Sequence, residues 1–355
     1  MFNFAYMLTR REFLNRSIVI TSGSLAAGTM NPFIVKSMDL SRERGMDTTR
    51  FPEPSYLRLA ENGELEKRWK ALWPRMASCD LCPRDCKKNR LRGIKGTCGA
   101  DANVRIASFH PHFGEEKELV GTNGSGTIFL SNCAMRCVFC INHDISHGGA
   151  GTNRTIREFA DMMLAVQKLG CHNLNFVTPT QYLPHILRAL EIAAKEGLRI
   201  PVVYNTHGWE KQEMLEMLDG VVDIYLPDFK YAEPAMGSIY SAGAETYPEI
   251  AKNALLEMHR QTGVAIPDPE TGLMQRGLMI RHLVMPNHID NSKKVIGWIA
   301  DNLPKNTYVN IMSQYTPSYR AARYPDISRK LTRQEYNTVI STAKSAGLTN
   351  IRLQG

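Results

Sequence analysis

Short apolar runs rich in β-branched residues alternate with amphipathic segments of helical period from Gly126 onward, and few folds accommodate such an alternation. Strands are expected in the run ending at Leu130, then at Leu174 to Val177, Pro201 to Asn205, Val222 to Pro227, Leu278 to Met285 and Tyr308 to Met312. The clearest helix opens on the capping box Thr155-x-x-Glu158, keeps Ile156, Phe159, Ala160, Met163 and Leu164 on one face, and stops at Gly170. Further helices are expected near Leu183 to Lys195, Glu210 to Leu218, Ile250 to Arg260, Ser292 to Asn302 and Thr332 to Ala346. A strand followed each time by a helix implies an α/β fold, with a parallel sheet and right-handed crossovers. Ligands then belong at the C-terminal ends of the strands.

A chain of 355 residues, 43% hydrophobic, can bury one large core or two modest ones. Its net charge of +8 is spread along the chain without a basic block interleaved with aromatics, so nucleic acid is not indicated as a partner. The eight cysteines fall into Cys79, Cys82, Cys86 and Cys98, then Cys133, Cys137 and Cys140, with Cys171 alone. Such spacings read as reduced thiols on metal, and Cys171 as a buried small hydrophobe.

Cys133, Cys137 and Cys140 follow the run Thr127-Ile128-Phe129-Leu130 directly, where the end of a strand places ligands. Three thiolates suit a catalytic zinc with one open position, or a zinc site completed by His143. They equally suit an iron-sulfur cluster, and a four-iron cube on three thiolates keeps one iron free of protein. The pattern CxxxCxΦC, with Phe139 before the last cysteine, resembles the signature of the radical S-adenosylmethionine (SAM) enzymes. That resemblance implies a [4Fe-4S] cluster whose open iron binds the amino and carboxylate groups of SAM. It also implies reductive cleavage of SAM to methionine and a 5′-deoxyadenosyl radical. The implied fold is an open six-unit (β/α) partial TIM barrel with a cysteine-rich N-terminal extension.

The extension runs Cys79-Asp-Leu-Cys82-Pro-Arg-Asp-Cys86 and closes at Gly96-Thr97-Cys98. Four cysteines at this spacing suit zinc or a second iron-sulfur cluster. Its CPRxC core and the NRxxGxxGxC from Asn89 to Cys98 resemble the front domain of a branch related to pyruvate formate-lyase activating enzyme. Glycyl-radical activating enzymes usually end their second strand in Gly-Gly-Glu, where this chain has Thr178-Pro179-Thr180. The family's Asp-Thr-Asn-Gly becomes Asn205-Thr206-His207-Gly208, which keeps a group able to bond a ribose hydroxyl. Its Asp-Leu-Lys is nearly kept as Asp228-Phe229-Lys230. The resemblance thereby assigns SAM contacts to Thr178, Asn205, Asp228 and Lys230, with Lys230 on the SAM carboxylate and Phe139 and Asn142 beside adenine and ribose.

Gln314 and Tyr315 are candidates for the substrate side, and His112 and Glu115 for the mouth of the site. His143 and His147 are expected to support the cluster as hydrogen-bond donors. The glycines at 121, 124 and 126 precede a strand instead of following one, so they are no dinucleotide fingerprint. Implied partners are a flavodoxin- or ferredoxin-like electron donor and a protein substrate that loses a backbone glycine hydrogen. An iron-sulfur electron carrier that never cleaves SAM and a zinc-stabilised binding scaffold remain open as alternatives.

Thr9-Arg10-Arg11-Glu12-Phe13-Leu14 resembles a twin-arginine export signal, which implies a periplasmic protein, with the cytoplasm as the alternative. The run from Ser17 to Met30 is too short and too rich in Ser, Thr and Gly to make a stable transmembrane span. The expected division is a leader over 1–36, a linker and charged helix over 37–78, the four-cysteine front over 79–125 and the barrel over 126–355.

Overall fold

Each of the six apolar runs forms a strand, and a computed structural model describes them within residues 53–354. The twin-arginine-like stretch, the run to Met30 and the linker as far as residue 52 lie outside the described residues. The strands are β1 (Val104–His112), β2 (Ser125–Leu130), β3 (Thr152–Arg154), β4 (Leu174–Val177), β5 (Val202–Thr206), β6 (Ile224–Pro227), β7 (Gly277–Leu283), β8 (Tyr308–Met312) and β9 (Ile351–Gln354). They make a nine-stranded mixed sheet of order β3-β1-β2-β4-β5-β6-β7-β8-β9. From β2 to β9 every neighbouring pair is parallel, as helical crossovers require. This is a mostly parallel α/β sheet, consistent with a partial barrel.

The capping box at Thr155 is made as its residues dictate. The Thr155 side chain accepts from the Glu158 amide, Glu158 Oε2 accepts from the Thr155 amide at 2.7 Å, and the helix Ile156–Lys168 follows. Thr332 and Glu335 repeat the device before the helix Arg333–Ser345. Helices Leu183–Lys195, Tyr247–Thr262 and Ile289–Asn302 bury residues in the main core. The helix expected over 210–218 is only Gln212–Glu216, because Glu210 is drawn inward by Thr180 and Thr206. Among the described residues no helix is long and apolar enough to cross a membrane.

Three strands were not expected from the sequence. β1 ends on His112, pairing antiparallel with β2 and, over Val104–Ile106 alone, with β3. Pro111 therefore stands on an open edge, where its missing N–H breaks no ladder. β9 adds a further parallel strand beside β8.

Side chains alternate across a strand, and the two faces differ. One face joins the helices in the main core through Phe176, Tyr204, Tyr225, Ile280, Val309 and Ile311. On the other face Val203, Ile224, Leu226, Met279 and Tyr308 form an apolar plug with Leu119 and Met274. Two residues farther along the same strands this inner face turns polar, with Asn205, Asp228, Arg281 and Asn310. The apolar half closes one end, and the polar half lies toward the C-terminal ends, where the cysteine loop follows β2.

Candidate active site

The loop after β2 is shaped by two residues in the left-handed region, Asn132 (φ 73°) and Arg136 (φ 49°), which turn the chain sharply around Cys133 and Cys137. It is held from several sides. Gln181 Nε2 donates to the carbonyls of Ser131, Asn132 and Thr178 at 3.1, 3.0 and 2.9 Å. The Arg84 guanidinium donates to Ala134 O at 2.8 Å and to Ser241 O at 2.8 Å, lying 4.8 Å from the Trp209 ring. The Val138 amide bonds Tyr240 O at 2.9 Å, and His147 Nε2 lies 3.0 Å from the Cys137 carbonyl.

Cys133, Cys137 and Cys140 are half-buried, and the eight cysteines form no disulfide. Cys137 Sγ lies 3.2 Å from Ser241 Oγ, which Tyr231 OH meets at 2.9 Å, and Cys140 Sγ lies 3.1 Å from Ser146 Oγ. Burial, and then the neighbouring Cys137 and Cys140, push the Cys133 thiol up to about 12. The sulfurs of Cys137 and Cys140 are thus near enough to Cys133 to oppose its ionisation. The hydroxyls of Ser241 and Ser146 can donate to a thiolate at Cys137 and at Cys140, and metal binding requires thiolates. That donor set fits an iron-sulfur cluster on three thiolates.

Asp228 and Lys230 face this loop. Lys230 Nζ bonds Asp228 Oδ2 at 2.6 Å with both side chains mostly buried. Burial alone would lower the Lys230 pKa, but Asp228 and Cys137 outweigh it and raise it. Burial likewise works against the Asp228 charge, yet Arg281 and Lys230 hold its carboxyl below the usual range. Arg281 links three groups: its Nε meets Asp228 Oδ1 at 2.9 Å, its Nη2 donates to Asn205 Oδ1 at 2.6 Å, and its Nη1 reaches Glu115 Oε2 at 3.3 Å. Asn205 Nδ2 closes the ring onto Glu115 Oε1 at 3.1 Å. Burial pushes Glu115 up to about 7, against the pull of Arg281.

Thr178 adopts φ 59°, a left-handed conformation that a β-branched residue seldom takes. The Thr180 hydroxyl is already committed to Glu210 Oε1 at 2.6 Å. Phe139 is buried, 6.0 Å from Tyr315. Tyr315 is buried too and donates its hydroxyl to Ile327 O at 2.6 Å, so that hydroxyl is used within the fold. Gln314 is exposed, with Nε2 directed at Met312 Sδ. Asn142 is exposed at the start of the short helix His143–Ser146, whose amides use its carbonyl. His143 stacks on Tyr319 at 4.8 Å, and His147 lies tilted against the same ring at 4.6 Å.

Glu115 therefore sits in the inner polar network, whereas His112 lies on β1 and packs on Phe129 at 5.6 Å. The sequence reading passed over Arg281, Glu210, Ser241 and Arg84. Arg281 carried a signal, as a lone charge inside the apolar run Leu278 to Met285. The others gave none, since Arg84 meets Ala134, Ser241 meets Cys137 and Glu210 meets Thr180, each pair far apart in sequence.

This arrangement, thiols after the first parallel strand facing a buried cation at the end of another, defines a class of cofactor enzyme. Residues 127–260, from β2 through the helix Tyr247–Thr262, match the model of the radical SAM superfamily. The chain belongs to that superfamily, whose members bind a [4Fe-4S] cluster and SAM and generate radicals by cleaving SAM. It is 35% identical over 283 residues to the uncharacterized protein MJ0674 of Methanocaldococcus jannaschii, an alignment covering 76% of this chain and 75% of that one.

Proposed function

We propose that Cys133, Cys137 and Cys140 hold the cluster, that Lys230 receives the SAM carboxylate, and that the enzyme acts in the manner of glycyl-radical activating enzymes on a protein substrate. The observation that carries the proposal is the buried Lys230–Asp228 pair beside Cys137. When bound, the cluster supplies the electron that breaks a carbon-sulfur bond of SAM. The chain's own residues do the rest. Arg281 keeps Asp228 ionised, and Asp228 keeps Lys230 charged and aimed, so a carboxylate entering beside Cys137 meets a fixed cation in a partly dehydrated setting. Ser241 and Ser146 can each donate a hydrogen bond to a thiolate sulfur, which steadies the reduced charge.

Thr178 ends β4 in a left-handed turn, and Asn205 is held by Arg281 and Glu115 at the end of β5, so either would bind SAM only through a bond shared with these partners. The activating-type role is supported by the near match of Asp228-Phe229-Lys230 and of the front cysteines to that branch. A flavodoxin- or ferredoxin-like donor would supply the electron. Arg10-Arg11 supports export of the folded protein to the periplasm.

The test is an anaerobic incubation of the iron-loaded protein with dithionite and SAM, followed by chromatography for 5′-deoxyadenosine. The wild type should release it. The Cys137→Ala variant should lose the product and the visible charge-transfer absorbance that belongs to the β2-loop cluster. Iron with no 5′-deoxyadenosine would make the chain an electron carrier, and zinc with no iron would make it a scaffold.

A further inference from the structure

The front cysteines stand apart from the β2 loop and have their own setting. Cys79, Cys82 and Cys98 are buried and Cys86 is half-buried. The chain closes on itself around them: the Cys79 amide donates to Lys88 O at 3.0 Å, Lys87 N to Cys79 O at 2.9 Å, and Asp85 N to Cys82 O at 3.0 Å. Asp85 (φ 44°) and Lys87 (φ 53°) are both left-handed, and they turn Cys86 back toward the others. A Cβ at Gly96 would stand 3.5 Å from both Cys86 Sγ and Cys98 Sγ. Those two sulfurs face one small space that a side chain at position 96 would enter. The Ala100 amide donates to Cys98 Sγ at 3.4 Å, a bond that suits thiolate better than thiol.

Arg90 is the second observation. It is wholly buried, with 0% of its surface exposed. Its Nε and Nη2 donate to the Asp101 carbonyl at 3.0 and 2.8 Å, its Nη1 points at Cys79 Sγ at 3.6 Å, and its plane lies 5.9 Å from the Tyr182 ring. Among the described residues no carboxylate pairs with it. A buried guanidinium needs an anion nearby, since a carbonyl and a ring do not cancel a full charge. The group able to become anionic at which its guanidinium points is the Cys79 thiol, and thiolates grouped in this way are soft ligands that select zinc or iron-sulfur.

We propose that Cys79, Cys82, Cys86 and Cys98 hold a second, four-thiolate metal centre, zinc or iron-sulfur, and that Arg90 balances its negative charge. The centre forms as the thiols release their protons to solvent and bind metal. Among the described residues no three His, Cys, Asp or Glu side chains converge as closely as one bound ion requires, so binding draws the front loop inward. Arg84, between Cys82 and Cys86 in sequence, carries that order to the β2 loop through its bond to Ala134 O, and Arg136 Nη1 meets the Cys98 carbonyl at 3.5 Å. The metal thereby stiffens the wall beside the catalytic thiols.

The test uses the full chain with Cys133, Cys137 and Cys140 all changed to Ala, purified without oxygen and analysed for zinc, iron and sulfide. About one zinc per chain supports the proposal, as does iron with matching sulfide, and the two results separate the kinds of centre. Adding Cys82→Ser and Cys98→Ser should remove the metal. On the triple background, Arg90→Met should speed metal loss to a chelator about tenfold, with Arg90→Lys in between. A folded, metal-free protein whose front thiols all react with a thiol reagent overturns the centre, and equal retention by Arg90→Met overturns the role of Arg90. Should the triple variant fail to fold, wild-type protein decides: zinc beside the iron, or iron above about four per chain, supports the centre, and about four irons with no zinc overturns it.

Discussion

Glu210 offers a measurement of how far the inner site departs from water. It is 1% exposed, accepts hydrogen bonds from the hydroxyls of Thr180 and Thr206, and has no cationic partner among the described residues. Burial pushes it from an ordinary 4.5 up to about 7, although both hydroxyls pull the other way. Between those values the folded protein holds a proton that the unfolded chain has released, so stability falls as pH rises, by about 1.4 kcal/mol per pH unit. The loss begins near pH 4.5, is complete above about 7, and amounts to about 3 kcal/mol. Glu210→Gln keeps the shape and one acceptor but cannot ionise. The variant should match the wild type near pH 4.5 and exceed it by about 3 kcal/mol at pH 8. Urea unfolding followed by tryptophan fluorescence, without oxygen, gives both curves, and other buried acids cancel in the difference. Parallel curves from pH 5 to 8 would refute the burial of a neutral carboxyl at this point.

Lys230→Met should weaken SAM binding by about tenfold or more while leaving iron content unchanged, because it removes a charge-assisted bond and not a ligand; an unmoved affinity in equilibrium dialysis would place the lysine outside the SAM site. Arg281→Met strips Asp228 and Glu115 of their shared cation and should cost about 3–5 kcal/mol at pH 8, less at pH 5 where Glu115 takes up a proton. An equal loss at both pH values would show that packing, not charge, is what Arg281 provides. Changing Arg10 and Arg11 to Lys should keep the protein in the cytoplasm, and fractionation that finds the wild type wholly cytoplasmic would refute export.

The sequence carried the parallel core well, for a physical reason. A strand buried on both faces must be nearly continuous in apolar residues, and a helix beside it must keep one apolar stripe, so both leave local signals. β1 left none, since its outer half is only partly buried and contains Pro111. β9 is four residues long and only partly buried, and what defines it is pairing to β8, a partner some forty residues away. The same limit governed the site. Position at a strand end marked Asn205, Asp228 and Lys230, but only the fold reveals that Arg281 and Glu115 complete their network. Asn205 thereby becomes a residue with both ends already engaged.

The strand end at Thr178 takes a backbone conformation that its residue type does not favour. Glycine enters the left-handed region without penalty. Threonine does not, and Thr178 at φ 59° carries a strain of about 1–2 kcal/mol. The surroundings hold it there: its amide donates to Asn205 O at 3.0 Å and its carbonyl accepts from Gln181, which also bonds the carbonyls of Ser131 and Asn132 beside the thiols of the β2 loop. The turn is thus fixed from the cysteine loop on one side and β5 on the other. A carboxyl is present as well, supplied by Glu210 after β5 and not by the end of β4, and bound to Thr180. Such strain persists where the neighbouring structure over-determines it, and at Thr178 Gln181 ties the turn to the cysteine loop.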